Sequence, residues 1–228
     1  STGFSPASTL ALGSKETEQT QQFEGGLRFA SEDRRFRASA TGFELKRNDI
    51  TIPDGSGQPR PTGDQRSRGL ELETSVERSR FGAALTYTFT DGILTRFSET
   101  GIVGFDPATF QPIQGTLDRS GNGSPLAPRH LFSVRLRADL GQGFLATAGI
   151  RANSEQYISE DNAFVIPSAQ FVDASLSYTR GRARIALIGD NLLDEETFTR
   201  GYASYSVLPV TPRRLSVRLD LRYDRKRP

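Results

Sequence analysis

The chain contains no cysteine, no methionine, no tryptophan and a single histidine, His130, among its 228 residues. Without cysteine there is no disulfide framework, no thiol nucleophile and no thiolate metal site, and one imidazole cannot build a histidine cluster. No apolar run approaches the roughly 18 residues that a membrane-crossing helix needs. The first residues, STGFSPASTL, have neither the basic start nor the apolar core of a secretory signal. Charge is nearly balanced, with 29 Lys and Arg against 27 Asp and Glu, and the only basic run is RKRP at 225–228. A nucleic-acid surface needs a basic stripe or face, so no nucleic-acid partner is expected. The glycine-rich SGNGS at 120–124 is followed by neither Lys-Ser nor Lys-Thr and opens no helix. It is expected to be a flexible loop tip and not a phosphate loop.

What the chain does have is alternation. Leu215, Val217, Leu219, Leu221 and Tyr223 stand between Ser216, Arg218, Asp220 and Arg222, so an extended strand would put all its grease on one side and its charge on the other. The same period of two runs through 23–29, 70–76, 81–90, 132–140, 144–153 and 172–179, and 182–193 continues it. A further strand at 35–47 changes phase near Gly42, as a bulge would cause. Nine strands result, with almost no place for a helix.

Four tight connections, SEDRR (31–35), ERSR (77–80), GQG (141–143) and RGR (180–182), take turns with long polar stretches at 48–67, 91–129, 154–169 and 194–213. Short turns at one end and long loops at the other are the habit of outer-membrane barrels, whose strands need only about ten alternating residues each. The expected fold is therefore all-β, an antiparallel transmembrane β-barrel segment of about nine up-and-down strands. If the short turns are periplasmic, the first strand starts outside and residues 1–17 belong to an extracellular loop. Bacterial single-chain barrels have an even strand number with both ends in the periplasm, so nine strands read as the back part of a larger barrel. Alone, such a sheet would expose two unpaired edges to lipid.

Four stretches carry a resemblance: TEQTQQFEGGLRF (17–29), RSRGLELE (66–73), LAPRHLFSVRL (126–136) and IGDNLLDEETF (188–198). In order and spacing they resemble the C-terminal barrel strands of the TonB-dependent outer-membrane receptors, most closely the siderophore (ferrichrome-type) group. The resemblance implies a 22-stranded barrel plugged by an N-terminal domain, with 1–228 as its C-terminal part and the plug and first strands outside it. It also implies a bacterial outer-membrane location and binding and uptake of a ferric siderophore. Energy would come from the TonB system through the plug, with no chemistry on the cargo and no cofactor. The alternatives are a receptor of the same kind for a cobalamin, a sugar or a copper complex, or a soluble β-sandwich adhesin or lectin, which detergent-free solubility would reveal.

In a receptor of this type, ligand groups would lie on outer loops and the tops of luminal strands. Tyr157 and Phe164 on one loop, Tyr202 and Tyr205 on another, and Arg151 near the outer end of the sixth strand are the candidates. An interface belt for the tyrosines and a wall ladder for Arg151 are the competing readings. Glu71 and Glu73 read as luminal wall charge and not as a catalytic pair. The segment DNLLDEE (190–196) lacks calcium-loop spacing and reads as a strand-end turn, and His130 as an outer-interface residue opening the fifth strand.

Overall fold

The computed structural model describes residues 2–5, 18–53, 59–203 and 206–222. Fifteen strands run through them: β1 (Thr2–Ser5), β2 (Glu18–Ala30), β3 (Phe36–Pro53), β4 (Pro59–Arg78), β5 (Phe81–Phe105), β6 (Pro112–Asp118), β7 (His130–Gly141), β8 (Phe144–Asn153), β9 (Gln156–Tyr157), β10 (Val165–Ile166), β11 (Ala169–Arg180), β12 (Ala183–Asp190), β13 (Phe198–Ala203), β14 (Ser206–Pro209) and β15 (Arg214–Leu221). No helix occurs among the described residues. One antiparallel sheet holds β1-β2-β3-β4-β5-β7-β8-β11-β12-β15, with β6 folded back on β5. Its nine long staves, β2 to β5, β7, β8, β11, β12 and β15, are the nine expected from alternation.

The four tight connections are hairpin turns. Between β7 and β8, Gly141, Gln142 and Gly143 all take positive φ (81°, 52° and 89°), and a Cβ on Gly143 would collide with the Thr179 carbonyl. Glycine at both ends of that turn is thus required by backbone geometry and by the close approach of β11.

Register carries each face across the sheet. Ala83, Leu136, Ala148, Ala174, Gly189 and Leu215 share one row, and one residue along, Ala84, Arg135, Gly149 and Asp173 share a row on the other face. The polar face is the hollow one: a concavity of about 580 Å³ is lined by Glu77, Arg135, Arg137, Asp173, Arg184 and Arg218 among others. The apolar face points away from it and is bare, with Leu215, Val217, Leu219 and Leu221 between 63% and 72% exposed. A contiguous apolar surface of that extent marks a face turned to lipid or to a partner. The larger buried apolar side chains among the described residues, Leu94, Phe97, Ile158 and Ile166, lie in the outer connections, and the others are small alanines of the staves, Ala169 and Ala186.

Aromatic residues edge the apolar face. Phe29 packs on Phe36 and Phe144 on Tyr178, at ring separations of 6.0 and 4.7 Å, beside the short turns. At the other end Tyr87 Oη lies 2.8 Å from His130 Nδ1 and the Phe89 ring 5.5 Å from the His130 ring. The stretch from Phe81 to Phe89 extends about 27 Å at roughly 3.4 Å per residue. Tilted by about 40°, it covers most of the ~25 Å apolar band of an outer-membrane barrel.

Three expectations change. The phase slip at Gly42 is not a bulge, since β2 and β3 pair without interruption from Gln19↔Asn48 to Ala30↔Arg37. The pattern shifts there because Phe43 lies on the polar face with its ring over Gly69, where a Cβ would come 2.7 Å from the ring, while Glu44 and Lys46 continue the outer face above the apolar band. The actual irregularity falls between Arg47 and Ile50, with Asp49 at φ 58° and its N–H donating to Asp64 Oδ1 at 3.0 Å. Second, the long connections are folded: β5 continues to Phe105 and pairs with β6, and the 154–169 and 194–213 stretches contain the β9–β10 and β13–β14 hairpins. Third, within 1–17, Thr2–Ser5 pair with Glu18–Gln21 of β2, whereas 6–17 lie outside the described residues.

Candidate functional site

Above the aromatic belt the outer connections are tied to one another. After β6 the chain returns along β5: Gly121 N–H donates to the Leu94 carbonyl, Leu94 N–H to Asn122, and Ser124 N–H to Gly92, at 2.7 to 2.9 Å. The SGNGS stretch is therefore not a free loop tip. Ser120 Oγ accepts from Phe97 N–H at 3.1 Å, and the buried Ser124 hydroxyl accepts from Gln65 Nε2 at 2.9 Å. Gly123 leaves room for the Tyr157 ring, 3.0 Å from where a Cβ would stand, Gly121 takes a φ of 89°, and Gly92 of β5 leaves room for Ser124.

The next connection clamps this segment. Gly123 N–H donates to Asn162 Oδ1 at 2.7 Å, Asn162 Nδ2 donates back to the Gly123 carbonyl at 2.9 Å, and Asn122 Nδ2 donates to the Glu160 carbonyl at 2.8 Å. Leu126 N–H adds a bond to the Tyr157 carbonyl at 2.8 Å. A turn at 159–162 presents Asn162, and within it Asp161 accepts from the Ser159 hydroxyl at 2.6 Å and from Ala163 N–H at 3.1 Å. The Ser159 hydroxyl, helped by that N–H, holds the Asp161 carboxyl below the ordinary aspartate range. Asp106 is likewise lowered by the N–H groups of Thr109 and Ala108 at the β5–β6 turn. A third connection joins in, because buried Ile158 packs against Gly201 of β13.

The polar wall beneath is cross-linked too. Arg47 donates to Glu18 Oε1 at 2.7 Å and to Gln65 Oε1 at 3.1 Å, and Gln65 passes the chain of bonds on to Ser124. Arg151 pairs with Asp173 at 2.9 Å and lies 5.4 Å from the centre of the Phe171 ring. The second Asp173 oxygen accepts from Asn191 N–H at 3.0 Å. The buried Asn191 side chain then binds the Glu195 carbonyl and N–H and the Thr211 carbonyl at 3.0 to 3.1 Å. The DNLLDEE stretch is thus a strand-end turn, and through Asp173 it fastens the third connection to Arg151.

Of the five candidate contact residues, Arg151 stands on the polar wall at the outer end of β8. Tyr157 and Phe164 are half-buried in the clamped second connection. Tyr202 falls in β13, with no described side chain, and Tyr205 lies outside the described residues. The structure thus brings Tyr157 and Phe164 into one connection and places Arg151 on the wall below. Reading the sequence missed Asn122, Gly123 and Asn162, whose partners are up to 39 residues apart and follow no period. His130 opens β7, the fifth long stave, as expected. No cluster of three or more metal-ligating side chains occurs among the described residues.

Comparison with known proteins places this geometry. The model of the family described as TonB dependent receptor-like, beta-barrel matches residues 1–192. The metal-pseudopaline receptor CntO of Pseudomonas aeruginosa is 25% identical over 224 residues, covering 91% of this chain and 28% of that receptor. Among solved structures, the siderophore receptor PiuA of Acinetobacter baumannii superposes with a TM-score of 0.79 at 20% identity, over 96% of this chain and 32% of that one. The ferric-catecholate import receptor Fiu of E. coli K12 gives 0.74 at 18%, over 96% and 32%. The chain spans about three tenths of the length of these relatives.

Proposed function

The chain belongs to the TonB-dependent receptor family, whose members are outer-membrane proteins, and from that premise we propose that it forms the C-terminal part of a barrel taking up a ferric siderophore by TonB-dependent gated passage. The observation that supports the reading is the pairing of a polar, arginine-bearing concave wall with a cap of three interlocked outer connections. Such a cap can hold a chelate at the mouth, and the wall can offer charge-assisted donors to hydroxamate, catecholate or carboxylate oxygens. Tyr157, Phe164, Tyr202 and Tyr205 would supply flat apolar contact and Arg151 a cationic one. Plug and TonB contact would lie outside 1–228, so passage depends on parts this chain does not contain. Binding and release carry the process, with no bond of the cargo made or broken.

A second reading, a receptor for another metal chelate, is favoured by the likeness to a metal-pseudopaline receptor. The test is uptake of labelled chelates by cells whose own receptors are deleted, carrying the full-length receptor with or without TonB. Uptake of a ferric siderophore that vanishes without TonB supports the reading. Uptake of a chelate of another metal alone would move it to the second, and TonB-independent uptake would end both. Cells carrying only residues 1–228 should take up nothing, because an open sheet leaves two unpaired edges in lipid.

A further inference from the structure

The segment that the second connection clamps holds the one Asn-Gly pair of the sequence, Asn122-Gly123. An asparagine before a glycine is the pair most prone to spontaneous deamidation. No Cβ shields the glycine nitrogen, and the glycine backbone turns freely to bring it against the asparagine side chain. The cap nevertheless asks for both residues. Asn122 Nδ2 donates to the Glu160 carbonyl at 2.8 Å and so ties the first connection to the second. A Cβ on Gly123 would stand 3.0 Å from the Tyr157 ring, so packing keeps a glycine there.

The same contacts keep the pair from reacting. Ring closure requires that the Gly123 nitrogen lose its proton, that the Asn122 side-chain carbonyl carbon swing to it, and that the main chain between them turn. Each movement is blocked. Gly123 N–H donates to Asn162 Oδ1 at 2.7 Å, and the Asn122 amide is held on Glu160. Asn122 N–H donates to the Arg119 carbonyl at 3.1 Å, and the Asn122 carbonyl accepts from Leu94 N–H at 2.9 Å. The Gly123 carbonyl accepts from Asn162 Nδ2 at 2.9 Å, and Gly123 pairs with Ile93 of β5.

We propose that Asn122-Gly123 is a self-modification site, silent while the Asn162 clamp is closed and reactive when the cap opens. In the open cap the deprotonated Gly123 nitrogen attacks the Asn122 side-chain carbonyl carbon. A C–N bond forms, the C–N bond of the side-chain amide breaks, and ammonia leaves with the proton. Water then opens the five-membered succinimide at either carbonyl, leaving an aspartate or an isoaspartate, with no change of oxidation state. Neither product restores the lock. An aspartate carboxylate has no donor for the Glu160 carbonyl and repels it. An isoaspartate adds a carbon to the main chain and shifts Gly123 and Ser124 off their partners Asn162 and Gly92. Long openings are thereby recorded irreversibly in the cap, whichever cargo is carried.

The test incubates the full-length receptor in nanodiscs at mildly alkaline pH and follows its tryptic peptide Ser120–Arg129 by mass spectrometry that separates asparagine, aspartate and isoaspartate. Wild type should deamidate at least about 30-fold more slowly than the free synthetic peptide of that sequence, the factor set by the two bonds from Asn162 to Gly123. Asn162→Gly should deamidate about 30-fold faster than wild type, with Asn153 and Asn191 unchanged. In Asn122→Asp, which carries one product from the start, the Gly123 amide should exchange about fivefold faster or more, as the loss of one bond requires. Wild-type deamidation at the rate of the free peptide would overturn the proposal without any variant. So would no acceleration in Asn162→Gly, equal acceleration at Asn191, or unchanged exchange in Asn122→Asp.

Discussion

Replacing Asn162 should unlock the first two outer connections while leaving the sheet intact. Its amide makes two bonds across to Gly123, at 2.7 and 2.9 Å, and a weaker one within its own turn to the Ser159 carbonyl at 3.2 Å. At about 1 kcal/mol net for each neutral bond, the two cross-connection bonds contribute about 2 kcal/mol. Asn162 also sits at φ 54°, which an alanine adopts at an extra cost of about 1–2 kcal/mol and a glycine adopts freely. Asn162→Gly therefore isolates the bonds, and Asn162→Ala adds backbone strain to their loss. Hydrogen exchange reads both. The Gly123 amide, bonded to Asn162, and the Leu126 amide, bonded to Tyr157, should exchange about 30-fold faster in the glycine variant, since every 1.4 kcal/mol is tenfold. The alanine variant should exchange about 5- to 30-fold faster again. Amides of β7 and β8 near Leu136 and Ala148 should not change. Unchanged exchange at Gly123 in the glycine variant would refute the clamp, and equal acceleration in β7 would show a global effect.

The outward face can be probed by charge. Leu136→Arg should lower unfolding stability in lipid vesicles by about 2–4 kcal/mol if it lies near the midplane, whereas Arg135→Leu on the polar wall should cost far less. Spin labels at Val134 and Leu219 should meet lipid-borne quenchers, and labels at Arg135 and Arg218 aqueous ones. Gly69→Ala should cost about 1–3 kcal/mol in the same unfolding assay, because the new methyl would press on the Phe89 carbonyl and the Phe43 ring, while Gly42→Ala, with no atom nearer than 3.9 Å, should cost less. Asp161 and Asp106 have folded pKa values below their unfolded ones, so the stability they lend their turns is present above the unfolded value and lost as pH falls through the folded one. Exchange at Ser159–Ala163 should therefore be flat from pH 8 to about 5, after correction for intrinsic rates, and quicken below about pH 4.

The membrane-crossing part was legible because a strand between two unlike surroundings must alternate, and each strand declares its two faces without reference to any neighbour. Leu215 to Leu221 show this: their faces follow from period two alone, and the register with β12 only places them in rows. Where one surrounding gives way to the other, the same reasoning slips. At Gly42 the outer face passes from lipid to water, so Glu44 on the outer side and Phe43 on the inner side imitate a bulge that the unbroken pairing excludes.

The outer connections were opaque for a related reason. Their partners are far apart in sequence and are chosen by geometry: Asn162 meets Gly123, Asn191 meets Thr211, and Gln65 meets Ser124 at a separation of 59 residues. Polar loop composition hides this, because Ser, Gly and Asn are equally the residues of a solvated loop and of a loop whose backbone is satisfied by side-chain amides. The distinguishing quantity is burial. Ser124 and Asn191 are 3% and 5% exposed, and polar groups that deep are in the large majority hydrogen-bonded. These connections are therefore held by directional bonds and only a few apolar side chains. Bonds of about 1 kcal/mol each can be exchanged one at a time for bonds to a ligand or to water. A cap built this way can open by small steps without disturbing the strands that anchor it.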